Sequence, residues 1–206
     1  MVHIDTIHCG LYGCNCYHLW REGTQSALLI DTGDGLEAIL DALKERGTRP
    51  GAILLTHGHF DHILAAAPLA ERYGCPVYIH AQDAPMLQDP RLACYSEAFS
   101  RLPFAPLVPE HPFTGDSLSL PGFTFRVYHT PGHTPGSVCY RIEGEDILFT
   151  GDTLFAQGYG RTDLPGGNTP QLIDSLRRLL AMDPDIRILP GHGEESSIGE
   201  AARYLC

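Results

Sequence analysis

Four side chains able to bind a metal ion, His57, His59, Asp61 and His62, fall within the six residues from His57 to His62, directly after Thr56. In an extended segment the side-chain period is two, which turns His57, His59 and Asp61 to one side and leaves His62 needing a turn to join them. Imidazole nitrogen with carboxylate oxygen suits zinc, iron or manganese, whereas calcium and magnesium prefer oxygen throughout. Three further residues of the same types stand in a similar setting: His133 after Pro131-Gly132, Asp152 after Gly151, and His192 after Pro190-Gly191. Glycine and proline at such places fix sharp exits and let backbones approach closely. A lone histidine is ordinarily a surface or hydrogen-bonded core residue, but seven such side chains at four strand exits point to a metal site. Seven exceed the four ligands of one tetrahedral zinc, and a catalytic zinc keeps one position open. They suffice for two divalent ions sharing a carboxylate, an arrangement that holds a hydroxide and polarises a substrate carbonyl. The chemistry expected is hydrolysis.

The elements that must position these residues are legible as apolar runs. Ala27 to Asp31 and Ala52 to Thr56 read as buried strands, the second leading straight into His57. Between them Leu36, Ile39, Leu40 and Leu43 stripe one face of a helix over 34–47, with Gly47 placed to end it. Pro68 is tolerated only in a first helical turn, so the next helix is predicted to begin near Ala65 to Ala67, leaving His57 to His62 as a loop. Strands are predicted at 77–79, 123–128, 137–142, 146–149 and 186–189. The stretch from Asp83 to Gly122, with seven prolines, reads as an irregular excursion or a lid. Thr169 as a cap with Pro170 at the first helical position predicts a helix striped by Leu172, Leu176, Leu179 and Leu180, and Ser197 with Glu200 has the spacing of a capping box.

The chain has 206 residues, 43% hydrophobic and 19% charged, a balance that fits one packed domain spanning 1–206. Lys plus Arg is 14 against Asp plus Glu at 25, a net charge of −11 that argues against nucleic-acid and anionic-membrane partners. No apolar run reaches the roughly 18 to 20 residues of a membrane span, and the start lacks a secretory pattern. Seven scattered cysteines, an odd number, read as free thiols of a cytoplasmic protein. Cys14 and Cys16, near His18, read as packing or surface residues, and His3, His8, His80, His111 and His129 as ordinary histidines.

The His-x-His-x-Asp-His loop with the distant His133, Asp152 and His192 resembles the signature of the metallo-β-lactamase superfamily. The resemblance runs from about the Ile30 strand to about Gly193. It implies an α/β (α+β) fold, a four-layer αββα sandwich with metals at one sheet edge. Carried over by motif, it implies that His57, His59 and His133 hold a first metal, Asp61, His62 and His192 a second, and that Asp152 bridges. Zinc is the first choice, with iron and manganese as alternatives. Pro131-Gly132-His133-Thr134-Pro135-Gly136-Ser137, Gly151-Asp152-Thr153-Leu154-Phe155 and Gly158-Tyr159-Gly160-Arg161-Thr162-Asp163 are similar to the glyoxalase II branch, in particular its short single-domain bacterial members. That similarity implies hydrolysis of a small-molecule thioester such as S-D-lactoylglutathione by attack of a metal-held hydroxide. Asp61 would orient the hydroxide, and Tyr159 and Arg161 would contact substrate. Full-length glyoxalase II carries a further helical domain that supplies part of the glutathione site, so the thiol carrier stays open.

The rival is a mononuclear-iron persulfide dioxygenase of the same fold, which would use His57, His133 and Asp152 as a facial triad. Main-class β-lactamases place a cysteine where Asp152 stands. Gly158-x-Gly160 lacks the third glycine and the strand-to-helix setting of a dinucleotide site, and no Gly-x-Ser-x-Gly elbow occurs.

Overall fold

The computed structural model describes residues 1–205. The chain begins with a hairpin that hydrophobic periodicity does not reveal. Its strands, β1 (Val2–Cys9) and β2 (Cys14–Arg21), pair antiparallel from Val2 opposite Arg21 to Cys9 opposite Cys14. β2 is buried at every residue from Cys14 to Leu19, so the alternation that marks a half-exposed strand is missing. β3 (Ser26–Ile30) continues the sheet antiparallel to β2, and α1 (Leu36–Arg46) crosses over to β4 (Arg49–Leu54), parallel to β3. As the spacing predicts, α1 buries Ile39 and Leu43 and stops at Gly47, in the left-handed region at φ 64°. After α2 (Phe60–Ile63) and α3 (Ala66–Tyr73), the parallel strands β5 (Val77–His80) and β6 (His111–Phe113) complete a six-stranded sheet in the order β1-β2-β3-β4-β5-β6.

The second half builds a second six-stranded sheet. Its elements are β7 (Ser117–Leu120), β8 (Phe123–His129), β9 (Val138–Ile142), β10 (Ile147–Gly151), β13 (Arg187–Pro190) and β14 (Ser196–Ser197), in the order β14-β13-β10-β9-β8-β7. A two-stranded ribbon, β11 (Leu154–Phe155) with β12 (Gly158–Tyr159), and the helix α4 (Thr169–Leu180) lie between β10 and β13, and α5 (Ile198–Leu205) follows β14.

Three apolar clusters bind these parts into layers. One packs Leu29 and Ile53 of the first sheet against Ile39, Leu43 and Leu69 of its helices. The second fills the space between the sheets with Leu28, Ile30, Leu54, Phe125, Tyr140 and Phe149. The third packs Leu148 and Ile188 against Leu172, Leu176 and Leu179 of α4 and Ala201 of α5. The result is the expected helix–sheet–sheet–helix sandwich. Among the described residues no helix is long and apolar enough to cross a membrane, and the six cysteines carry free thiols.

Three local expectations change. The segment from His57 to His62 is not a continuous loop: Phe60–Ile63 forms one helical turn, and a second helix starts at Ala66. α4 is capped by Asn168 rather than Thr169, the Asn168 side chain accepting from the Gln171 N–H at 3.1 Å, so Pro170 falls in the first turn where its missing N–H costs nothing. The excursion after Asp83 is irregular to about Glu110, with two short 3₁₀ turns, and then supplies β6 and β7, one strand to each sheet. Short strands with proline and histidine carry too little apolar pattern to be read from sequence.

Candidate metal centre

The seven candidate residues converge because four strands of the two facing sheets, β4, β8, β10 and β13, deliver loops to a common edge. β4 leads to His57 and His59, and the helical turn of α2 that follows carries Asp61 away from them while His62 stays beside His57, with ring centroids 4.1 Å apart. β8, β10 and β13 lead to His133, Asp152 and His192. Candidate ligand atoms of His57, His59 and His133 lie within 4.8 Å of one another, as do those of Asp61, His62 and His192, and those of His57, His62 and Asp152. Asp61 therefore joins the second group and not His57 and His59, contrary to the one-sided placement expected of an extended segment. His59 Nδ1 is 2.9 Å from His133 Nε2, and His62 Nε2 is 3.2 Å from His192 Nε2. Asp152 spans the two groups, with Oδ1 3.4 Å from His62 Nε2 and Oδ2 3.6 Å from His133 Nε2 and 3.7 Å from His192 Nε2. This approach needs glycine at 191, where a Cβ would collide with Asp152 Oδ1 and lie 2.7 Å from His62 Cε1.

Four of the imidazoles are held from behind. His133 Nδ1–H donates to the Arg161 carbonyl at 2.7 Å and His192 Nδ1–H to the Tyr12 carbonyl at 3.0 Å. His62 Nδ1 donates to Asp31 Oδ2 at 2.9 Å. Asp31 also accepts the Thr56 N–H and hydroxyl, both at 2.8 Å, and that hydroxyl is 3.1 Å from His57 Nδ1. With Nδ1 engaged, Nε2 of each of these four rings is the nitrogen turned inward, the arrangement that orients metal-binding histidines. Asp31, Tyr12 and the Arg161 backbone were not singled out from sequence. Asp31 stands at a strand exit like the others, and that was its only signal.

Electrostatics divides the cluster. Burial, reinforced by neighbouring histidines, pushes His57 well below the usual imidazole range and His59 down to about 3, so both rings are neutral and keep a lone pair. Burial acts the same way on His62, but the carboxylates of Asp152, Asp31 and Asp61 outweigh it and raise His62 well above its ordinary value. Burial would raise Asp61, but His62 and His192 outweigh it and hold the carboxyl well below the usual range. Burial pushes the Cys14 thiol, 3.5 Å from His62 Nδ1, up to about 12, so it is a packed thiol and no thiolate ligand. His57 Nε2, His59 Nε2 and Asp152 Oδ1 are buried without a hydrogen-bond partner, a state that is costly unless another group satisfies them. Imidazole nitrogens and a carboxylate oxygen left this way fit divalent cations.

The centre opens into a cavity of about 580 Å³, walled by Tyr12, Phe60, Phe155, Tyr159 and Leu164 with Cys94 and Arg161 beside them. Tyr159, on β12, and Arg161 therefore face the space next to the cluster. The Arg161 guanidinium is already engaged: Nε and Nη2 each lie 2.7 Å from an Asp163 carboxylate oxygen. Cys14 and Cys16 lie in the core, His80 stacks on His129 at 4.2 Å between the sheets, and His3 stacks on Trp20.

The family description of the metallo-beta-lactamase superfamily matches residues 9–192, a span that contains the whole cluster. The chain belongs to that superfamily. Among its relatives in the superfamily, hydroxyacylglutathione hydrolase GloC of Haemophilus influenzae is 34% identical over 98% of this chain and 96% of its own length. The crystal structure of BLEG-1 B3 metallo-beta-lactamase superposes with a TM-score of 0.92 at 37% identity, covering 98% of this chain and 97% of that one. TTHA1623 in a di-iron-bound form gives 0.86 at 38% identity over 97% and 98%. ETHE1 from Myxococcus xanthus gives 0.77 at 30% identity over 98% and 82%.

Proposed function

We propose that this chain is a binuclear metallohydrolase of thioesters, of the S-D-lactoylglutathione type. The observation that carries the reading is Asp152, whose carboxylate reaches both donor groups, with Oδ1 toward His62 and Oδ2 between His133 of one group and His192 of the other. In this reading the first group would hold one divalent ion and the second group another, with Asp152 available to both. Two divalent ions there would lower the pKa of bound water to about 7 and polarise a carbonyl oxygen. The protein supplies the rest. Asp61, ionised and 3.3 Å from His192 Nε2, accepts a hydrogen bond from the attacking water and so orients it. The aromatic wall of Tyr12, Phe60, Phe155 and Tyr159 excludes bulk water and packs the acyl and thiol chains. Arg161, with donors left over after its pairing to Asp163, meets an anionic end of the substrate. The departing thiolate needs little acid assistance because its reference pKa is about 8.5. The 34% identity to GloC over nearly the whole of both chains supports the thioester class. The reading also places the protein in the cytoplasm, where thiols such as the six described here stay reduced.

The test is metal content per chain on protein grown with balanced zinc, iron and manganese and kept anaerobic, followed by turnover on thioester, β-lactam and persulfide substrates. Two ions per chain with thioester hydrolysis are expected. One iron per chain with oxygen uptake on glutathione persulfide would overturn the reading in favour of a dioxygenase. Lactam opening without thioester cleavage would place the chain with BLEG-1.

A further inference from the structure

Asp31 braces His62 and the Thr56 next to His57, but a second buried carboxylate reaches the cluster from another direction. Asp83 lies just beyond β5, at the start of the irregular excursion, and is fully buried. Its Oδ2 accepts the Gly58 N–H at 3.0 Å and the Thr134 hydroxyl at 2.6 Å, and its Oδ1 accepts the Gly136 N–H at 2.6 Å. Gly58 separates His57 from His59, and Thr134 follows His133. The three imidazoles of one donor group thus hang from two loops, out of separate sheets, that one carboxylate ties together. The bonds to Asp61, His62 and His192 run instead to Asp31, Tyr12 and one another. The tie is tight: a Cβ at Gly136 would lie 2.6 Å from the Asp83 carboxyl. Thr134 and Ser137 hydroxyls, 2.6 Å apart, close the turn on the far side.

We infer that Asp83 is the positioning residue of the His57–His59–His133 group, setting the distance between the two loops and thereby the affinity of that group for its metal. It touches neither the candidate ligand atoms nor the cavity. The identity of the group as a metal site rests on the binuclear reading above. A carboxylate is required because three donors converge on it: an asparagine at 83 turns an NH₂ toward at least one of them, separating the loops rather than joining them.

The experiment is competitive titration of zinc into chelator-stripped protein, which reads affinity without turnover. Wild type is expected to take two equivalents. Asp83→Asn should weaken one of them about 10- to 100-fold, the range for a lost outer-sphere partner, and leave the other within about threefold. Thr134→Val, which removes one of the three donors at nearly constant volume, should weaken the same equivalent by less, and Thr134→Ser should restore it. If Asp83→Asn does not fold, the Thr134 pair carries the test. Leu179→Ala, in the core under α4, is the control for lost stability: its melting temperature should fall with both affinities unchanged. Unaltered affinity in Asp83→Asn and Thr134→Val, or equal weakening of both equivalents, overturns the inference. A wild type that takes one equivalent contradicts the binuclear reading instead. The Asp83→Asn effect is then read on that equivalent, and its absence overturns the inference.

Discussion

Asp152 is the residue on which the proposed chemistry turns, because each of its oxygens faces a different set of nitrogens and one of them is buried without a hydrogen-bond partner. Asp152→Asn keeps the shape but replaces one carboxylate oxygen with an NH₂ donor that cannot bind a cation. Metal analysis of that variant should show at least one equivalent lost, and thioester turnover should drop roughly 100-fold or more, since metal polarisation contributes several kcal/mol. Wild-type turnover in Asp152→Asn would remove the shared-carboxylate role. Arg161 has two separable parts. Its carbonyl holds His133, which any side chain at 161 preserves, while its guanidinium faces the cavity already paired to Asp163. Arg161→Ala should therefore raise KM several-fold for an anionic thioester with kcat and metal content within about twofold, the signature of uniform binding lost. An unchanged KM would make the pair with Asp163 purely a loop brace.

Elements position these residues through their ends rather than their middles. Each of β4, β8, β10 and β13 buries apolar side chains and stops where a ligand-bearing loop begins, and α4 packs Leu172, Leu176 and Leu179 under the second sheet that carries three of those loops. The N-terminus of α4 depends on the Asn168 cap. Asn168→Ala should lower stability by about 1 kcal/mol, read as a fall in denaturation midpoint without a change in slope, and Asn168→Asp should retain most of it. The first hairpin contains a titrating device of its own. His18, on β2, is buried, bonded to Thr48 at 2.9 Å, 3.8 Å from Asp5 and stacked on Trp20. Burial pulls it down to about 4; Asp5 opposes that and Arg46 adds to it. Between about pH 6.5 and 4 the unfolded chain holds a proton at His18 that the folded chain does not. Stability is therefore full above pH 6.5 and falls as the pH drops toward 4. The unfolding free energy from denaturant melts across that window should fall less steeply in His18→Gln, by up to about 1.4 kcal/mol per pH unit.

At the scale of the whole molecule, the cluster clamps two half-sandwiches. Residues up to His62 belong to the first sheet and its helices, whereas His133, Asp152 and His192 belong to the second. A ligand that binds only the joined arrangement stabilises the fold by mass action, in addition to the apolar core between the sheets. Removing metal with a chelator should thus lower the melting temperature by several degrees while the far-ultraviolet circular dichroism stays native. Restoring zinc, iron or manganese should reverse the fall in the order of affinity. Unfolding on chelation would mean that the inter-sheet core by itself does not hold the sandwich closed.

Much of this was written into local sequence. Apolar runs that end in Gly, Pro, His or Asp announced β4, β10 and β13, because a buried parallel strand needs only a short hydrophobic stretch and a sharp exit. The seven candidate ligands were legible for the same reason, their types and their place at strand ends. Their spacing did not give the grouping, which only the resemblance implied; the tertiary structure supplies its physical cause. Asp61 is two residues from His59, yet one helical turn at Phe60–Ile63 carries it to the partners of His192. Asp31 and Asp83, single aspartates with no distinguishing spacing, became braces only when loops from other strands arrived to donate to them. The first hairpin stayed hidden because burial of β2 on both faces erases the period that would betray it, while β1 is mostly half-buried and mixes apolar with polar residues. Sequence specifies which groups can bind and where the chain must turn; which of them meet is set by the register of two sheets packed face to face, and no local pattern records that register.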